Sequence, residues 1–392
     1  MSTTIKRSTF LKDVFICSLG AYGGPEAHYG VFTDQLVIKK KYLSEEELVE
    51  LIALCSILPG PTSTQTIVSI GYKTGGPLLA LLTMLVWALP VLTMMTLLSF
   101  LYQFLSDKNI SGDLLRFIGP MAVGFIILAA YRIGKKVVTD KLTVVLFLSS
   151  AIITYFIRSP WIFPTVLVLG GIVSVIASGE DNLFERVKLM PKWGYFIAFA
   201  SIALISIGLT LTVDHVLVHL FESFYRYGYL VFGGGQVVVP VMHSELVDGY
   251  RYMTNAEFLT GYGLVQGLPG PMFSFSAYAG GMAARGHGWL IQVLGAVISG
   301  VGIFLPGLLL IYFIYPIWEK LKSIKGIKIS LKGINAVAGG LIAVASIILM
   351  QKSGFTPINL IVTLLTVGLL ATKKIPAPLL VLASILLGVF LG

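Results

Sequence analysis

The sequence repeats itself once, at a nearly constant spacing. The tripeptide Pro59-Gly60-Pro61 returns as Pro269-Gly270-Pro271, an offset of 210 residues, inside a second apolar segment. The same offset aligns Gly23-Gly24 with Gly233-Gly234, Tyr42 with Tyr252, Glu47 with Glu257 and Gly71 with Gly281. Further on the offset is 216, which aligns Leu89-Pro90 with Leu305-Pro306, Arg116 with Lys332, Gly124 with Gly340 and Pro160 with Pro376. So long a period predicts two related helical bundles, at 1–180 and 216–392, joined by a connecting loop and helix at 181–215.

Composition indicates a membrane protein. Hydrophobic residues make up 56% of the chain and charged residues 12%, with a mean hydropathy of +0.88. Soluble domains carry roughly 25% charged residues. Apolar runs of helical length recur at Leu78–Leu105, Phe117–Ala130, Tyr195–Leu211, Trp289–Ile317 and Leu341–Met350. We therefore predict an all-α integral membrane protein with about 10–13 transmembrane or re-entrant helices.

Several classes of partner fit the sequence poorly. The net charge of +9 resides in short basic loops without interleaved aromatic residues, so we expect no nucleic-acid binding. Cys17 and Cys55 do not align with each other across the repeat and form no CxxC motif. His215 and His219 have the i, i+4 spacing of two metal ligands, but no carboxylate or cysteine completes the set. We expect neither a metal nor a cofactor.

Basic loops predict the orientation in the membrane. Four loops are rich in basic residues: Arg132 with Lys135, Lys136 and Lys141; Arg186 with Lys188 and Lys192; Lys320 to Lys332; and Lys373-Lys374. The positive-inside rule places all four in the cytoplasm. Parity then requires that the Gly-Gly and Pro-Gly-Pro segments both span the membrane or both re-enter. Either case predicts inverted repeats, with the N-terminus inside and the C-terminus outside. The cluster Lys39-Lys40-Lys41 fits less well, because the fully spanning case places it outside.

The Pro-Gly-Pro segments predict broken helices. Ser44 with Glu47, and Thr254 with Glu257, have the spacing of capping boxes that begin the preceding helices. The helix from Ser44 and its continuation to Gly71 would together measure roughly 38 Å, more than the roughly 30 Å of a hydrocarbon core. Proline interrupts such a helix, and Pro61 is suited to the first position of a new one.

Polar residues follow the first break. Thr62, Ser63, Thr64 and Gln65 would place hydroxyl and carboxamide donors at the positive end of a helix, a combination suited to an oxyanion. The second copy is less polar, with Ser274 after the break and Gln266 before it. Paired breaks in inverted halves indicate a binding site near the middle of the membrane, whereas a single break would be only a kink.

The Gly-Gly segments carry the other candidates. Gly23, Gly24, Pro25, Glu26 and His28 align with Gly233, Gly234, Gly235, Gln236 and Val238. Such glycines permit either close helix packing or exposed amides at a second break. Glu26 and His28 are ionisable at membrane depth and are candidates for proton coupling, although His28 could also be a satisfied interior histidine. Arg116 and Lys332 begin equivalent helices and either guide anions or anchor the helices at the interface.

These motifs resemble the paired signatures of the chromate ion transporter family. The resemblance rests on Tyr22-Gly-Gly-Pro-Glu-Ala-His28, Leu54-Cys-Ser-Ile-Leu-Pro-Gly-Pro-Thr-Ser-Thr-Gln65, Phe232-Gly-Gly-Gly-Gln236 and Gln266-Gly-Leu-Pro-Gly-Pro271. It implies a multi-pass inner-membrane exporter of chromate with two homologous halves, conferring chromate resistance. Motifs and resemblance together predict these substrate contacts: Gly23, Gly24, Pro25, His28, Pro59, Gly60, Pro61, Thr62, Ser63, Thr64, Gln65, Gly233, Gly234, Gly235, Gln236, Gln266, Pro269, Gly270, Pro271 and Ser274.

Three functions remain open at this point. The first is a secondary exporter driven by membrane potential, proton coupling or both, for chromate or for sulfate or another oxyanion, with a homodimer as one possible assembly. Outward movement of a dianion gains about 4.6 kcal/mol per 100 mV. The second is an anion channel with the same fold. The third is a membrane-embedded reductase, which would need a flavin, haem or metal motif that the sequence does not contain. We predict that the protein is not an enzyme.

Overall fold

A computed structural model describes residues 6–157, 162–181, 183, 189–232 and 235–391. Within these ranges the chain is helical and has no β-strand, which confirms the predicted all-α class. The helices are α1 Arg7–Gly20, α2 Pro25–Phe32, α3 Glu45–Ile57, α4 Thr62–Asp107, α5 Ser111–Leu114, α6 Ile118–Val137, α7 Lys141–Phe156, α8 Ile162–Ala177, α9 Trp193–Thr212, α10 Val216–Leu230, α11 Val239–His243, α12 Asn255–Gln266, α13 Phe275–Ala284, α14 Trp289–Ile314, α15 Trp318–Leu321, α16 Lys325–Ser353, α17 Pro357–Ala371 and α18 Ala377–Leu391. Pro160, which the repeat aligns with Pro376, lies outside the described residues.

Five helical stretches are long and apolar enough to cross a membrane. They are Thr62–Asp107, Ser111–Val137, Trp193–Thr212, Trp289–Leu321 and Lys325–Ser353. Four more apolar helices, α7, α8, α17 and α18, are shorter. Because apolar side chains on these helices are widely exposed, they require a lipid environment. The chain is therefore an integral membrane protein that crosses the bilayer several times.

Corresponding helices end at corresponding positions in the two parts of the chain. At the offset of 210, α1 and α10 end at Gly20 and Leu230, and π-helical segments follow at Thr33–Lys39 and Ser244–Gly249. At the offset of 216, α6 and α16 end at Val137 and Ser353. The side chains of Asp140 and Thr356, also 216 apart, cap the next helices. Among the described helices, α9 has no such counterpart. The duplication thus extends from sequence to helix boundaries.

Each part of the chain contains two helical hairpins. In the first, hairpin 1, α1 turns at Gly23-Gly24 and the π segment returns beside it, so that Asp13 accepts hydrogen bonds from Gln35 (3.2 Å) and Tyr42 (2.6 Å). In hairpin 2, α3 turns at Pro-Gly-Pro and the part of α4 before its kink at Gly75-Gly76 returns, which places Cys55 Sγ 3.6 Å from Ser69 Oγ. The Gly-Gly and Pro-Gly-Pro segments therefore fold back rather than continue in one direction.

The second part repeats this arrangement with different chemistry. In hairpin 3, formed by α10, α11 and the second π segment, Arg226 bridges Glu222 and Glu245. In hairpin 4, formed by α12 and α13, Arg285 Nη1 lies 3.0 Å from Glu257 Oε1. Both predicted capping boxes are present at the starts of α3 and α12, and they fix where these arms begin.

The tips of the hairpins hold one another through a reciprocal pair of backbone hydrogen bonds. Gly60 N donates to Val231 O at 2.8 Å, and Gly270 N donates to Ala21 O at 2.7 Å. Gly60 and Gly270 are equivalent by the 210 offset, and so are Ala21 and Val231. Such i-to-j and j-to-i contacts are the signature of a two-fold arrangement. Each Pro-Gly-Pro turn is thus anchored by the other half.

The remaining helices form an intertwined scaffold. Helix α16 packs against α6, α7 and α8, while α17 packs against α6. Two glycines permit these close crossings: a Cβ on Gly124 would lie 3.0 Å from Thr363 O, and one on Gly340 would overlap Phe147 O. Gly124 and Gly340 were aligned in the sequence, and their partners Phe147 and Thr363 are also 216 apart.

Basic loops gather at one face of the molecule. Arg132 Nη2 donates to Leu370 O at 3.1 Å, joining the ends of α6 and α17. Lys332 forms an ion pair with Asp140, and Gly326 N donates to Leu183 O at 2.8 Å. We call this surface the basic face; it comprises residues 132–141, 181, 183, 320–332 and 372–376.

The hairpins contact opposite ends of α16. Glu50 of hairpin 2 pairs with Lys322, just before α16 begins at the basic face. Asp248 of hairpin 3 pairs with Lys352 at the far end of α16, at 2.9 Å. Hairpin 2 is therefore anchored at the basic face and hairpin 3 at the far end.

Candidate functional site

A cavity of about 510 Å³ lies between the hairpin tips and the basic face. All four hairpins contribute to its wall. Hairpin 1 supplies Gly23, Gly24 and Pro25, hairpin 2 supplies Ser56 and Thr62, hairpin 3 supplies Gln236 and hairpin 4 supplies Gln266. Six of the residues predicted from the sequence as substrate contacts thus meet in one place, although they are separated by up to 243 positions along the chain (Gly23 to Gln266).

The cavity wall is positively charged. Arg132 and Lys136 from the end of α6 and Lys373 from the loop after α17 line it, together with Asn335 of α16. No Asp or Glu is among the described lining residues. The three basic side chains are exposed, so the cavity opens at the basic face. In the sequence these residues indicated only membrane topology, because their approach to the hairpin tips depends on the tertiary fold.

Three helices begin at the cavity wall. Pro25 is the first residue of α2, Thr62 of α4 and Ala377 of α18, and all three line the cavity. The first amides of a helix lack intrahelical partners and carry partial positive charge. No side chain caps α2 or α4, whose N-cap residues are Gly24 and Pro61. Amide donors and positive dipole ends therefore add to the charge of the basic side chains, as in known anion sites.

Gly23 and Gly24 form a chain break rather than a packing surface. Their φ values are +87° and +101°, which L side chains rarely adopt, and a Cβ at either position would meet nothing within 4 Å. Of the two alternatives for these glycines, the structure supports exposed backbone at a break. A side chain at Gly24 would be strained and would project into open space beside the cavity.

The polar residues after the first Pro-Gly-Pro have different structural roles. Of Thr62, Ser63, Thr64 and Gln65, only Thr62 lines the cavity. Gln65 Nε2 donates to Pro59 O at 2.8 Å and so closes the turn from inside. Pro61 occupies the N-cap, one residue before the helical position that we predicted for it. The run therefore builds the turn as much as it faces a ligand.

His28 lies behind the cavity wall. Its side chain is 1% exposed, and its Nδ1 is 3.0 Å from Ser63 Oγ. Its Nε2 has no hydrogen-bond partner among the described residues. Trp87 stacks edge-on against the ring at 5.4 Å and donates from Nε1 to Thr64 Oγ1 at 3.2 Å. His28 thus links hairpin 1 to hairpin 2 and does not line the cavity. The side chain of Glu26 and the residues Gly233 and Gly234 lie outside the described part of the structure.

Two carboxamides in the second half retain donors suited to a ligand. The Nε2 atoms of Gln236 and Gln266 lie 4.0 and 3.2 Å from the sulfur of Met272. A thioether is a weak acceptor, so an oxyanion in the cavity would be the better partner. Gly235 begins the 3₁₀ turn that carries Gln236. The remaining predicted residues of this half, Pro269, Gly270, Pro271 and Ser274, do not line the cavity.

Arg116 and Lys332 lie away from the cavity. The Arg116 guanidinium sits over the Phe117 ring at 5.6 Å, between α5 and α6. Lys332 lies within α16 rather than at its start, and it pairs with Asp140. Hydrogen bonds from Lys332 and from the Thr143 amide lower the pKa of Asp140 to about 2. Both basic residues therefore have local structural contacts.

His215 and His219 also have local partners. The Nδ1 of His215 accepts from Leu217 N at 3.2 Å and so caps α10, while His219 Nε2 lies 3.2 Å from Asp214 Oδ1. Over the described part of the chain, no group of three or more His, Cys, Asp or Glu is arranged to hold a metal.

The structure contains a buried ionic cluster that the sequence did not predict. Arg226 Nε lies 2.7 Å from Glu222 Oε1 and its Nη1 lies 2.7 Å from Glu245 Oε1, while Tyr227 donates to Glu245 at 2.6 Å. All four side chains are buried. The i, i+4 spacing of Glu222 and Arg226 was visible in the sequence, but the approach of Glu245 requires hairpin 3 to fold back. This cluster fastens the two arms of that hairpin.

Comparison with known proteins gives a consistent result. The sequence profile of the family described as "Chromate transporter" matches residues 9–175 and 218–389. The chain is 27% identical to the chromate transport protein of Cupriavidus metallidurans over 376 residues, 94% of this chain and 88% of that protein. It is 28% identical over 339 residues to the chromate transport protein of Pseudomonas aeruginosa, 84% of this chain and 78% of that protein. A probable chromate transport protein of Synechococcus elongatus is 26% identical over 385 residues, 96% of this chain and 93% of that protein. No solved structure matches the chain.

The predicted resemblance is confirmed, and the chain belongs to the chromate transporter family.

Proposed function

We propose that this protein is a secondary transporter that binds chromate, or a similar tetrahedral dianion, in the cavity between the hairpin tips and exports it from the cytoplasm. The observation that carries the proposal is the composition of the wall, with three basic side chains and no described Asp or Glu. Three helix starts and two carboxamides add donors of the kind that hold oxyanions. The curated relatives named chromate transport protein support chromate as the cargo.

The proposed topology places the basic face in the cytoplasm. The positive-inside rule favours this side for loops that gather Arg132, Lys332 and Lys373. The anchoring of hairpin 2 at one end of α16 and of hairpin 3 at the other supports two inverted halves, 1–180 and 216–392. The hairpins are then re-entrant, and Lys39-Lys40-Lys41 joins the cytoplasmic side near hairpin 2. The N-terminus is cytoplasmic, the C-terminus is external and the membrane is the inner one.

The open side of the cavity supports export. With the basic face in the cytoplasm, the conformation described is open to the inside and able to load cargo. Outward movement of a dianion then gains about 4.6 kcal/mol per 100 mV of potential. The sequence has no G-x-x-x-x-G-K-[ST] motif for ATP, so potential, a coupled proton or both supply the energy. His28 and Glu26 are the proposed proton carriers. An imposed pH gradient should accelerate chromate flux in the wild type but not in a His28→Ala, Glu26→Ala double variant. If the gradient accelerated flux equally in both, neither residue would be a proton carrier.

A carrier fits the hairpin tips better than an open channel. The bonds from Gly60 to Val231 and from Gly270 to Ala21 tie the tips together beyond the cavity. An ion can leave on the far side only after these contacts rearrange. Carrier flux therefore saturates with chromate concentration, whereas channel flux would rise in proportion to it.

The proposal is tested with adjacent lysines as matched controls. Lys136 and Lys373 line the cavity, while their neighbours Lys135 and Lys374 do not. Labelled chromate and, separately, sulfate are offered to everted vesicles at a clamped potential. We expect saturable chromate uptake, with KM raised about five- to tenfold by Lys136→Gln and by Lys373→Gln and changed less than twofold by Lys135→Gln and Lys374→Gln. If all four substitutions changed the KM equally, the cavity would not be the chromate-binding site. Sulfate uptake with chromate acting only as a competitor would make sulfate the cargo.

A further inference from the structure

We propose that the outward-open state, which the transport cycle requires, forms its binding cavity from the repeat-equivalent residues of the other end of the scaffold, with one basic residue in place of three. The oxyanion is consequently bound tightly from the cytoplasm and weakly from outside. This inference rests on the proposed transport function and on the inverted repeat. It assigns a second, external binding site that is closed in the conformation described.

The contacts between the two halves are reciprocal. A chain whose halves hold each other by equivalent bonds can exchange the two halves' conformations and keep the same set of backbone contacts. Here Gly60 bonds Val231 as Gly270 bonds Ala21, and the caps and glycine crossings of the scaffold are repeated in the same way. Exchange of the two conformations would keep these contacts and move the opening from the basic face to the opposite face.

The side chains do not repeat as faithfully as the backbone. By the offset of 216, Lys136 of the cavity corresponds to Lys352, Arg132 to Ile348 and Lys373 to Ile157. Thus one lysine is retained, and an arginine and a lysine are each replaced by isoleucine. The exchanged cavity has one basic residue at these three positions, and by the offset of 210 the lining residue Gln236 corresponds to Glu26, which adds an acidic residue.

The equivalent residues lie where an external vestibule would need them. Lys352 is at the far end of α16, where it pairs with Asp248 at 2.9 Å. Ile348 is one turn earlier and half-buried, and Ile157 follows α7 with 50% of its side chain exposed. Gln351 Nε2 donates to Tyr155 OH at 3.2 Å and joins the ends of α16 and α7, much as Arg132 joins α6 to α17.

The loss of two cations has a measurable consequence. A dianion about 8 Å from a unit charge, at an effective dielectric somewhat below that of water, gains roughly tenfold in affinity from that charge. Two fewer cations therefore raise the external KM by between roughly tenfold, if salt screens the charges, and a hundredfold, if it does not. This difference between the two KM values does not change the equilibrium distribution of the oxyanion across the membrane, which the driving forces alone determine. It favours loading inside and release outside, and it limits re-entry of exported oxyanion.

The experiment measures the KM for labelled chromate from each side, in right-side-out and everted vesicles. We expect the wild-type external KM to exceed the cytoplasmic KM at least tenfold. An Ile348→Arg, Ile157→Lys double variant restores the missing cations and should lower the external KM at least tenfold with no change in the cytoplasmic KM. The matched control is Ile347→Arg, which adds a charge at an exposed neighbour whose equivalent, Tyr131, does not line the cavity.

A second measurement does not depend on transport rates. An Ile348→Cys variant is labelled from outside with a membrane-impermeant maleimide; the native Cys17 and Cys55 are both buried. Labelling that chromate slows supports the external cavity, and labelling indifferent to chromate counts against it. A double variant that lowers both KM values, or neither, overturns the inference while the transport function stands. Absence of saturable chromate flux in the wild type would overturn the proposed function and this inference with it.

Discussion

The buried cluster in hairpin 3 allows a stability prediction to be worked out in detail. Arg226 pairs with both Glu222 and Glu245, and the three side chains are 10%, 9% and 4% exposed. Replacement by methionine removes the four donor contacts that the guanidinium makes to them and leaves two carboxylates buried together. Breaking a buried pair in this way costs about 3–5 kcal/mol. The variant Arg226→Met should therefore unfold at a temperature several degrees below that of the wild type.

The assay is thermal unfolding in detergent, followed by intrinsic fluorescence. The control is a triple variant, Arg226→Met with Glu222→Gln and Glu245→Gln, which removes all three charges at once. Because replacement of a whole buried ionic cluster is often close to neutral, this variant should recover most of the lost stability. A single variant within about 1 kcal/mol of the wild type would refute the reasoning, because the cluster would then be solvated rather than buried. None of the three residues lines the cavity, so chromate KM should not change in any variant that folds.

Three further predictions concern packing, pH and the ligand. Gly340→Ala places a Cβ against the carbonyl oxygen of Phe147 and should cost about 1–3 kcal/mol of unfolding free energy, measured by the same thermal assay; wild-type stability would contradict the close crossing. The lowered pKa of Asp140 means that its pairing with Lys332 stabilises the fold at pH values above the unfolded pKa near 3.8, and that this stability is lost as pH falls toward the folded pKa of about 2. The Lys332→Ala variant should therefore lose less unfolding free energy than the wild type between pH 5 and pH 2. If wild type and variant lost stability equally on acidification, that would count against the ion pair. Gln266→Leu removes a cavity donor and should raise the chromate KM several-fold. Gln266→Glu introduces a negative charge and should raise the KM further. Equal KM values for the two variants would indicate that a change in cavity shape, and not the lost donor, weakens binding.

Much of the architecture was predictable because it depends on local signals and on the repeat. Capping boxes at Ser44 and Thr254, the break at Pro-Gly-Pro and the long apolar runs each act over a few neighbouring residues, and all are present in the structure. Whether the broken segments span or fold back was not decidable from the sequence. It depends on contacts such as Asp13 with Tyr42, which lie 29 positions apart.

The candidate site was predicted only in part, for the same reason. Gly23, Gly24, Pro25, Thr62, Gln236 and Gln266 were predicted from the helix breaks and from the family resemblance. All six line one cavity, and their role as substrate contacts stays a prediction. Arg132, Lys136 and Lys373 were not, because a basic loop has the same sequence whether it only sets topology or also reaches a ligand. Arg116 and Lys332 seemed comparable to them in sequence, and only tertiary contacts separate the two groups.

We expect two kinds of group in the proposed site to contribute differently, one to attracting the oxyanion and the other to recognising it. The basic side chains are long, exposed and at the mouth of the cavity, so their contribution is long-ranged and reduced by salt. Helices α2 and α4 begin at the hairpin tips, at Pro25 and Thr62. Pro25 has no N–H, so the free amides are those of the residues after Pro25 and those from Thr62 onward, and a change of rotamer cannot reorient them. Raising ionic strength should therefore raise the chromate KM of the wild type more than that of a Lys136→Gln, Lys373→Gln variant, and leave the preference between chromate and sulfate the same in both. If the preference changed with the lysines, recognition would reside at the mouth of the cavity, and the hairpin tips would serve only to close it.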